Sequence, residues 1–485
     1  MSSHESDLIA LIGGLAASRV VCVGDLMLDA YVEGAVERVS PEAPVPVLAV
    51  RREGTMPGGA GNVAMNLAAL GVAADVVGVV GDDADGRTLK GLLGDSARLV
   101  ASGDRRTTLK TRYVAAGQQL LRADRDDTIP LSEPEIQAVT DAAGAALDGA
   151  GALVLSDYGK GVVCQPVIDA MVQAARARGI PVVVDPKGTD FARYRGADVV
   201  TPNRAELGAA AGLKVDDDAS AVEAARVIID RCGVGAVLAT RGDQGMTLVT
   251  ATAVHHLAAQ AREVFDVVGA GDTVVAVFAA GLGAGAPLER AAELANIAAG
   301  LVVAKVGTAV TRPEELFTAL QDSTLHTLEA KILPRASVVE RATAWRRKGM
   351  RVGFTNGCFD ILHPGHVSLL AQARAGCDRL VVGLNSDASV GRLKGPDRPI
   401  QPQTSRAIVL ASLSSVDAIV IFEEDTPLDL ITALRPDVLV KGADYSLDQV
   451  VGAAEVAGWG GEVLLADIVD GHSTSATISR INRRA

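Results

Sequence analysis

The chain has 485 residues, more than one ordinary hydrophobic core covers, so two or more domains are expected. A formal net charge of −13 excludes a polyanion such as DNA as a bulk partner, because a phosphate backbone needs a positive footprint. Small anionic substrates, met by a few local cations, remain open. Aromatic residues make up only 3% and glycines number 51, and many short Val/Leu/Ile runs punctuate the chain, a pattern that suggests α/β architecture over a β-sandwich. The five scattered cysteines (22, 164, 232, 358 and 377) read as reduced thiols. MSSHESDLIALIGGLAASRV makes a poor signal peptide, and no run reaches the ~18 apolar residues of a membrane span, so a cytoplasmic protein is expected.

From RVVCVGDLMLD onward, strand-like and helix-like stretches alternate. The first strand ends beside Asp25 and Asp29. PGGAGNVAMNLAALG is a Gly-rich loop entering a helix, with Gly58, Gly59 and Asn62 at its mouth. Carboxylates and an amide there suit a polyol, whose hydroxyls need acceptors and donors; the alternative is that the glycines only allow close helix packing. ERVSPEAPVPVLAVRREGTMPGG and DRRTTLKTRYVAAGQQLLRADRDD read as extended, exposed strands. Arg105, Arg106, Lys110, Arg112 and Arg122 cluster there and suit a phosphate already on the substrate, or serve as solvated surface charge.

GALVLSDYGKG, IPVVVDPKG, ADVVTPN and GVGAVLATRGDQG are apolar runs ending in polar turns, with helical stretches between them. This rhythm predicts a largely parallel sheet, whose ligands sit beyond the carboxyl ends of its strands. In TPNRAELG, Asn203 and Glu206 stand at N-x-x-E spacing, fit either to cap a helix or to hold a hydrated Mg²⁺. Arg241 and Gly242, in ATRGDQG, follow a strand within reach of nucleotide phosphates. In FDVVGAGDTVVAVFAAGL, Gly269, Ala270 and Gly271 expose backbone N–H groups where a helix begins, an anion site by geometry and dipole. Asp272 beside it fits either a base that takes a proton from an attacking hydroxyl or a helix cap.

Together, GGAGN, NRAE and GAGD in this order resemble the ribokinase-like sugar kinases, over about residues 12–318. The resemblance implies a three-layer α/β domain with a β lid that pairs between subunits, hence a homodimer, and ATP-dependent phosphorylation of a sugar hydroxyl. Asp272 would be the base and Gly269–Gly271 the anion hole. Nucleotide contacts would come from Asn203, Arg204, Ala205, Glu206, Arg241, Gly242 and Asn296, and Mg²⁺ would bind at Asn203 and Glu206 through water. Many members carry Thr before G-A-G-D; Val268 stands here, so any contact from that hydroxyl is lost while the backbone amides are unaffected.

Residues 314–348 are charged and helical in pattern. They divide a first domain, 1–318, from a second, 349–485, through a helical linker, 319–348. MRVGFTNG then restarts a strand, and FTNGCFDILHPGHVSLL leads into a helix with Pro364 near its first turn. His363 and His366, three apart, face one side and can meet one phosphate beside the positive helix end; caps or a metal fragment are the alternatives, and no third ligand follows at convincing spacing. Asp387, Lys394 and Arg398 follow the next strand, with the last two expected on a loop, and Lys441 ends another. GHSTSATISRI sets Ser473, Thr474, Ser475 and Thr477 at a predicted helix N-terminus.

This half resembles the H-x-G-H nucleotidyltransferases, the cytidylyltransferase-like group, over residues 350–485. The resemblance implies a smaller Rossmann-like domain and attack of a substrate phosphate on the α-phosphate of a nucleoside triphosphate. His363 and His366 would hold phosphates, and Lys394 would neutralise the transition state. Thr355, Asn356, Gly357, Phe359, Asp360, Arg398, Lys441 and the four terminal hydroxyls would contact the nucleotide, and Asp387 the substrate. The two halves joined resemble the family of bifunctional heptose-7-phosphate kinase/heptose-1-phosphate adenylyltransferases, which implies ATP in both domains, two non-consecutive steps towards ADP-heptose for lipopolysaccharide core, and a separate phosphatase between them. The alternatives are a kinase and cytidylyltransferase for another polyol phosphate, and a sugar-binding regulator with an inactive kinase half.

Overall fold

The computed structural model describes residues 3–260, 266–305, 309–443 and 446–467, which cluster into two compact units, Met1–Leu320 and Gln321–Ala485. In the first unit the strands are β1 (Arg19–Gly24), β2 (Leu26–Val39), β3 (Pro46–Gly59), β4 (Ala73–Gly81), β5 (Ala97–Ser102), β6 (Thr108–Ala115), β7 (Gln118–Arg125), β8 (Ala152–Ser156), β9 (Val182–Asp185), β10 (Val199–Val200), β11 (Ala236–Thr240), β12 (Met246–Thr250) and β13 (Val254–Leu257). Among the described residues they form a nine-stranded sheet, ordered β13-β12-β11-β10-β9-β8-β1-β4-β5, and a four-stranded sheet, β3-β2-β6-β7.

The larger sheet is parallel from β5 to β11. At the far edge β12 and β13 run antiparallel, because the turns Gly242–Gln244 and 251–253 are too short for a crossover. Both faces are covered. Val20 and Cys22 of β1 point into one apolar layer with the helices Ala60–Ala69, Ala270–Gly283 and Leu288–Val303; Val21 and Val23 point into the other. The two-residue period of a strand buried on both faces explains its continuous apolar run. The chain steps outward from β1 through β4 to β5, then returns to β8 and steps the other way, so the order reverses between β1 and β8. Such a switch point leaves a crevice beyond the strand ends.

The second unit repeats the design on a smaller scale. Its strands are β14 (Val352–Gly357), β15 (Arg379–Asn385), β16 (Ala418–Phe422), β17 (Val438–Gly442) and β18 (Glu462–Ala466), all parallel in the order β16-β15-β14-β17-β18. Here the order reverses between β14 and β17. The helix Arg335–Arg347 packs on this unit, Val338 and Ala342 sharing a core layer with Phe354, Val381 and Leu439. No helix among the described residues is long and apolar enough to cross a membrane.

Candidate active sites

The crevice of the first unit gathers its acidic residues. Asp25 follows β1 and is fully buried; its carboxylate accepts backbone N–H bonds from Tyr158 (2.8 Å), Lys160 (2.8 Å) and Val162 (2.9 Å), fixing the turn after β8. Burial raises its pKa and those three donors oppose the shift. Gly58 and Gly59 carry the chain past this point: a Cβ on Gly58 would collide with the Asp29 carboxylate, and one on Gly59 would sit 2.5 Å from the Asp25 carbonyl oxygen, with φ at 60°. The next helix begins at Ala60 and presents Asn62.

Asp272 lies in the first turn of the helix Ala270–Gly283, after Gly269 in the left-handed region (φ 80°). Tyr158 donates its O–H to Asp272 Oδ1 at 2.6 Å, and Asn62 Nδ2 donates to Oδ2 at 2.7 Å. Burial pushes the carboxyl up to about 6, against those two hydrogen bonds and the Lys110 ammonium, with Asp29 adding to the rise. It is therefore mostly ionised at neutral pH yet close to the range of an efficient base. Asp29 itself is buried and holds Arg112 at 2.5 Å, while Lys110 lies 5.9 Å from the centre of the Tyr158 ring. A cavity of about 200 Å³ adjoins them, its wall including Tyr158, Asp185, Lys187, Asn203, Glu206 and Gly271. Asn203 caps the helix Arg204–Ala211 through a reciprocal box with Glu206, and Glu206 also pairs with Lys187 at 3.0 Å. The capping arrangement and the cavity wall are thus made by the same two residues.

In the second unit, His363 stands at the N-cap position of the helix Pro364–Ala375 without a capping side-chain bond, and its ring stacks on His366, centroids 3.8 Å apart and 20° from parallel. Phe359, at φ 43°, meets His366 edge-on at 5.1 Å. Burial, with His363 beside it, draws the His366 pKa down to about 4, so its ring is neutral at physiological pH. Lys441 at the end of β17 donates to Asn356 Oδ1 (2.6 Å) at the end of β14, across the switch point. Asp360 is buried and accepts from Arg398 Nε (2.5 Å), Ile400 N (2.7 Å) and Gln401 N (3.1 Å). Arg406, also buried, donates to Asp387 Oδ1 (2.7 Å) and to the Cys358 (2.5 Å) and Gln401 (2.9 Å) carbonyls.

Comparison with known proteins places each unit. Residues 17–315 match the pfkB family carbohydrate kinases and residues 354–480 the cytidylyltransferase-like family. The bifunctional protein HldE of Acidiphilium cryptum is 57% identical over 99% of this chain and 100% of its own length; that of Paramagnetospirillum magneticum is 56% identical over 98% and 99%. The chain belongs to the HldE family of bifunctional proteins. It is a kinase and a nucleotidyltransferase in one polypeptide. Escherichia coli phosphofructokinase-2, solved with potassium, superposes with a TM-score of 0.55 at 24% identity, covering 63% of this chain and 98% of that one, and shows the kinase fold. Arabidopsis thaliana ribokinase, solved with ribose and ATP, gives 0.50 at 22% identity over 63% and 99%.

Within this HldE-family fold, the residues singled out from sequence divide into those that converge and those that do not. Asn62 and Asp272 are hydrogen-bonded to each other, and Asn203, Glu206 and Gly271 share the cavity wall. Arg204 and Ala205 are exposed on the helix after Asn203, and Ala270 opens the helix of Asp272. Arg105 is buried and spends Nη2 on the carbonyls of Asp127, Ile129 and Lys160. Arg122 is exposed on β7 and pairs with Asp124. Arg241 is buried and held by Asp218 at 2.6 Å, Gly242 beside it is exposed, and Asn296 donates to the Ala258 carbonyl at 2.8 Å. Thr355 is buried near the end of β14, and Gly357 closes that strand against the Phe359 ring. Lys394, expected on a loop, is the last residue of the helix Asp387–Lys394, because Ser386 caps that helix and Gly395 ends it; Arg398 is on the following loop. Ser473, Thr474, Ser475 and Thr477 lie outside the described residues. Sequence reasoning missed Tyr158, Asp185, Lys187 and Arg406. The first three sit in the polar turns SDYGKG and VVVDPKG at strand ends, which was the available signal; Arg406 lay unmarked inside a helical run.

Proposed function

We propose that the first unit transfers the γ-phosphoryl group of ATP to the C1 hydroxyl of heptose 7-phosphate, giving the 1,7-bisphosphate, and that the second joins AMP from ATP to heptose 1-phosphate, giving ADP-heptose and pyrophosphate. A separate phosphatase removes the 7-phosphate in between. The observation that carries the kinase reading is the buried Asp272, pinned by Asn62 and Tyr158 at a helix N-terminus beside a cavity. Asp272 accepts the proton of the attacking hydroxyl; the backbone N–H groups of Gly269–Gly271 and the helix dipole meet the charge developing on the transferred phosphoryl group.

The fit of a magnesium ion rests on donor chemistry. Asn203, Glu206 and Asp185 line one cavity and supply hard oxygen atoms. Asn203, Glu206 and Asp185 would hold the ion through water, and it would supply positive charge to the ATP phosphates.

In the second unit the nucleophile is already an anion, so no base is required. The stacked histidines hold the triphosphate, Lys394 neutralises it, and Lys441, fixed by Asn356, adds a cation at the switch point. Dependence on ATP sets both reactions in the cytoplasm. The four-stranded lid leaves Val39, Val45, Val50 and Leu121 at least half exposed, and a second copy laid lid to lid would cover them. ³¹P NMR tests both halves: heptose 7-phosphate with ATP and Mg²⁺ should give an anomeric phosphate, and heptose 1-phosphate with ATP and Mg²⁺ a sugar-linked pyrophosphate. Reaction in the second tube alone would remove the heptose kinase assignment, and silence in both would remove the heptose.

A further inference from the structure

The turn after β8 is anchored by two buried carboxylates, yet the reaction described above uses none of its anchors. Asp25, fully buried, takes three of its backbone N–H groups. Asp157, also buried, takes the Tyr194 hydroxyl (2.7 Å), the Gly159 N–H (2.8 Å) and Arg193 (3.2 Å). Lys160 reaches Asp126 at 2.7 Å, and its carbonyl receives Arg105 at 2.7 Å. The residue that all of this holds still is Tyr158, whose one hydroxyl meets Asp272 Oδ1 at 2.6 Å. A buried carboxylate needs every donor it can find, and three backbone N–H bonds offset the cost of burying Asp25. We propose that Tyr158, anchored through its backbone by Asp25, is a positioning residue for phosphoryl transfer: its hydroxyl fixes the direction in which Asp272 presents its remaining lone pairs and steadies the charge on that carboxylate. This rests on the reading of Asp272 as the base.

Among the described residues, several groups face Asp272. Asn62 comes from the helix Ala60–Ala69, Asp29 and Lys110 from the lid strands, Asp185 from the end of β9, Cys22 from β1 and Tyr158 from the turn after β8. Of these, Tyr158 and Asn62 stabilise the ionised form by direct hydrogen bonds and Lys110 by charge, while Asp29 opposes it. Removing the phenol alone therefore makes Asp272 harder to ionise. The base works ionised, so the acid limb of the kinase profile must move to higher pH.

The test is the kinase pH profile of full-length Tyr158→Phe beside wild type and Asp272→Asn. Phenylalanine keeps the ring under Lys110 and removes only the O–H. The expected result is a raised midpoint in kcat/KM, with activity near pH 5 lower by about a further tenfold than at pH 8 and KM for ATP little changed. Asp25→Asn, which weakens the anchor, should move the midpoint the same way. An equal loss at every pH with an unmoved midpoint, or a loss confined to KM, overturns the proposal; a wild-type profile for Asp25→Asn overturns the anchoring part. Full kinase activity in Asp272→Asn would instead remove the base itself, so the two failures are distinguishable.

Discussion

The two units solve neighbouring problems with opposite chemistry on similar frames. Each has a sheet whose parallel strands reverse order beside the first central strand, and each places polar residues at that reversal: Asp25 and Tyr158 beyond β1 and β8, Asn356 and Lys441 at the ends of β14 and β17. The kinase crevice is acidic, with a buried carboxyl tuned upward to about 6. The transferase crevice holds a stacked histidine pair in which the His366 ring is neutral. The nucleophile explains the difference. A sugar hydroxyl must lose a proton to attack phosphorus, so its site keeps a base; a sugar phosphate arrives ionised, so its site needs only groups that hold and neutralise phosphates.

Crossed single substitutions give the largest expected effects. His366→Ala should abolish adenylyl transfer and leave sugar phosphorylation intact, and Asp272→Asn should lower phosphorylation by roughly 10²-fold or more while sparing adenylyl transfer. Both are read by assaying the two activities of each purified variant. Loss of both activities in one folded variant would contradict two independent sites.

The features that define this contrast were legible in the sequence to different degrees. GGAGN, NRAE, GAGD and H-x-G-H are local, because each sits in one turn at a strand end or helix start where a few residues set the geometry, and Asn62, Asp272, His363 and His366 could be named from them. The parallel sheets followed from the strand–helix rhythm, except β12 and β13, whose antiparallel course is set by short turns. Tyr158 could not be named, since its role depends on Asp25 and Asp272, 133 and 114 residues away in the chain. Asn62 and Asp272 were readable singly but not as a pair, being 210 residues apart. The lid cations show the opposite failure. The local cluster left Arg105 open as a phosphate ligand or as surface charge, and only the fold reveals that its Nη2 is committed to three carbonyls.

Titration sharpens the contrast at smaller amplitude. As the proposed base, Asp272 works ionised, so kinase kcat/KM should be full above about pH 7 and fall as pH drops through about 6, reaching about a tenth one unit below the midpoint. His366 runs the other way: its pKa is depressed, so the ring stays neutral until pH falls to about 4. An NMR titration of the histidine rings in the free protein should show one midpoint far below the usual 6.5. A His366 midpoint above about 7 would mean that the site holds an imidazolium at neutral pH, and the contrast between a tuned base and a neutral phosphate holder would weaken.

The smallest effect concerns the frame of the transferase site. Asp360 is buried between the signature turn and the loop of Arg398, and its two oxygens take one charged donor and two backbone N–H groups. Asparagine has the same shape but one acceptor oxygen. That oxygen can keep the Ile400 and Gln401 bonds, and the new NH₂ group then faces Arg398 donor to donor. The charge-assisted bond is lost while the loop keeps its backbone ties, a cost of about 1–2 kcal/mol. Expressed in nucleotide binding, that is roughly a tenfold rise in KM for ATP in adenylyl transfer, with little change in kcat and none in the kinase. A fall in kcat with unchanged KM would instead mean that Asp360 acts on the reacting phosphates and not through Arg398, and the transferase would then share with the kinase a carboxylate at the centre of its chemistry.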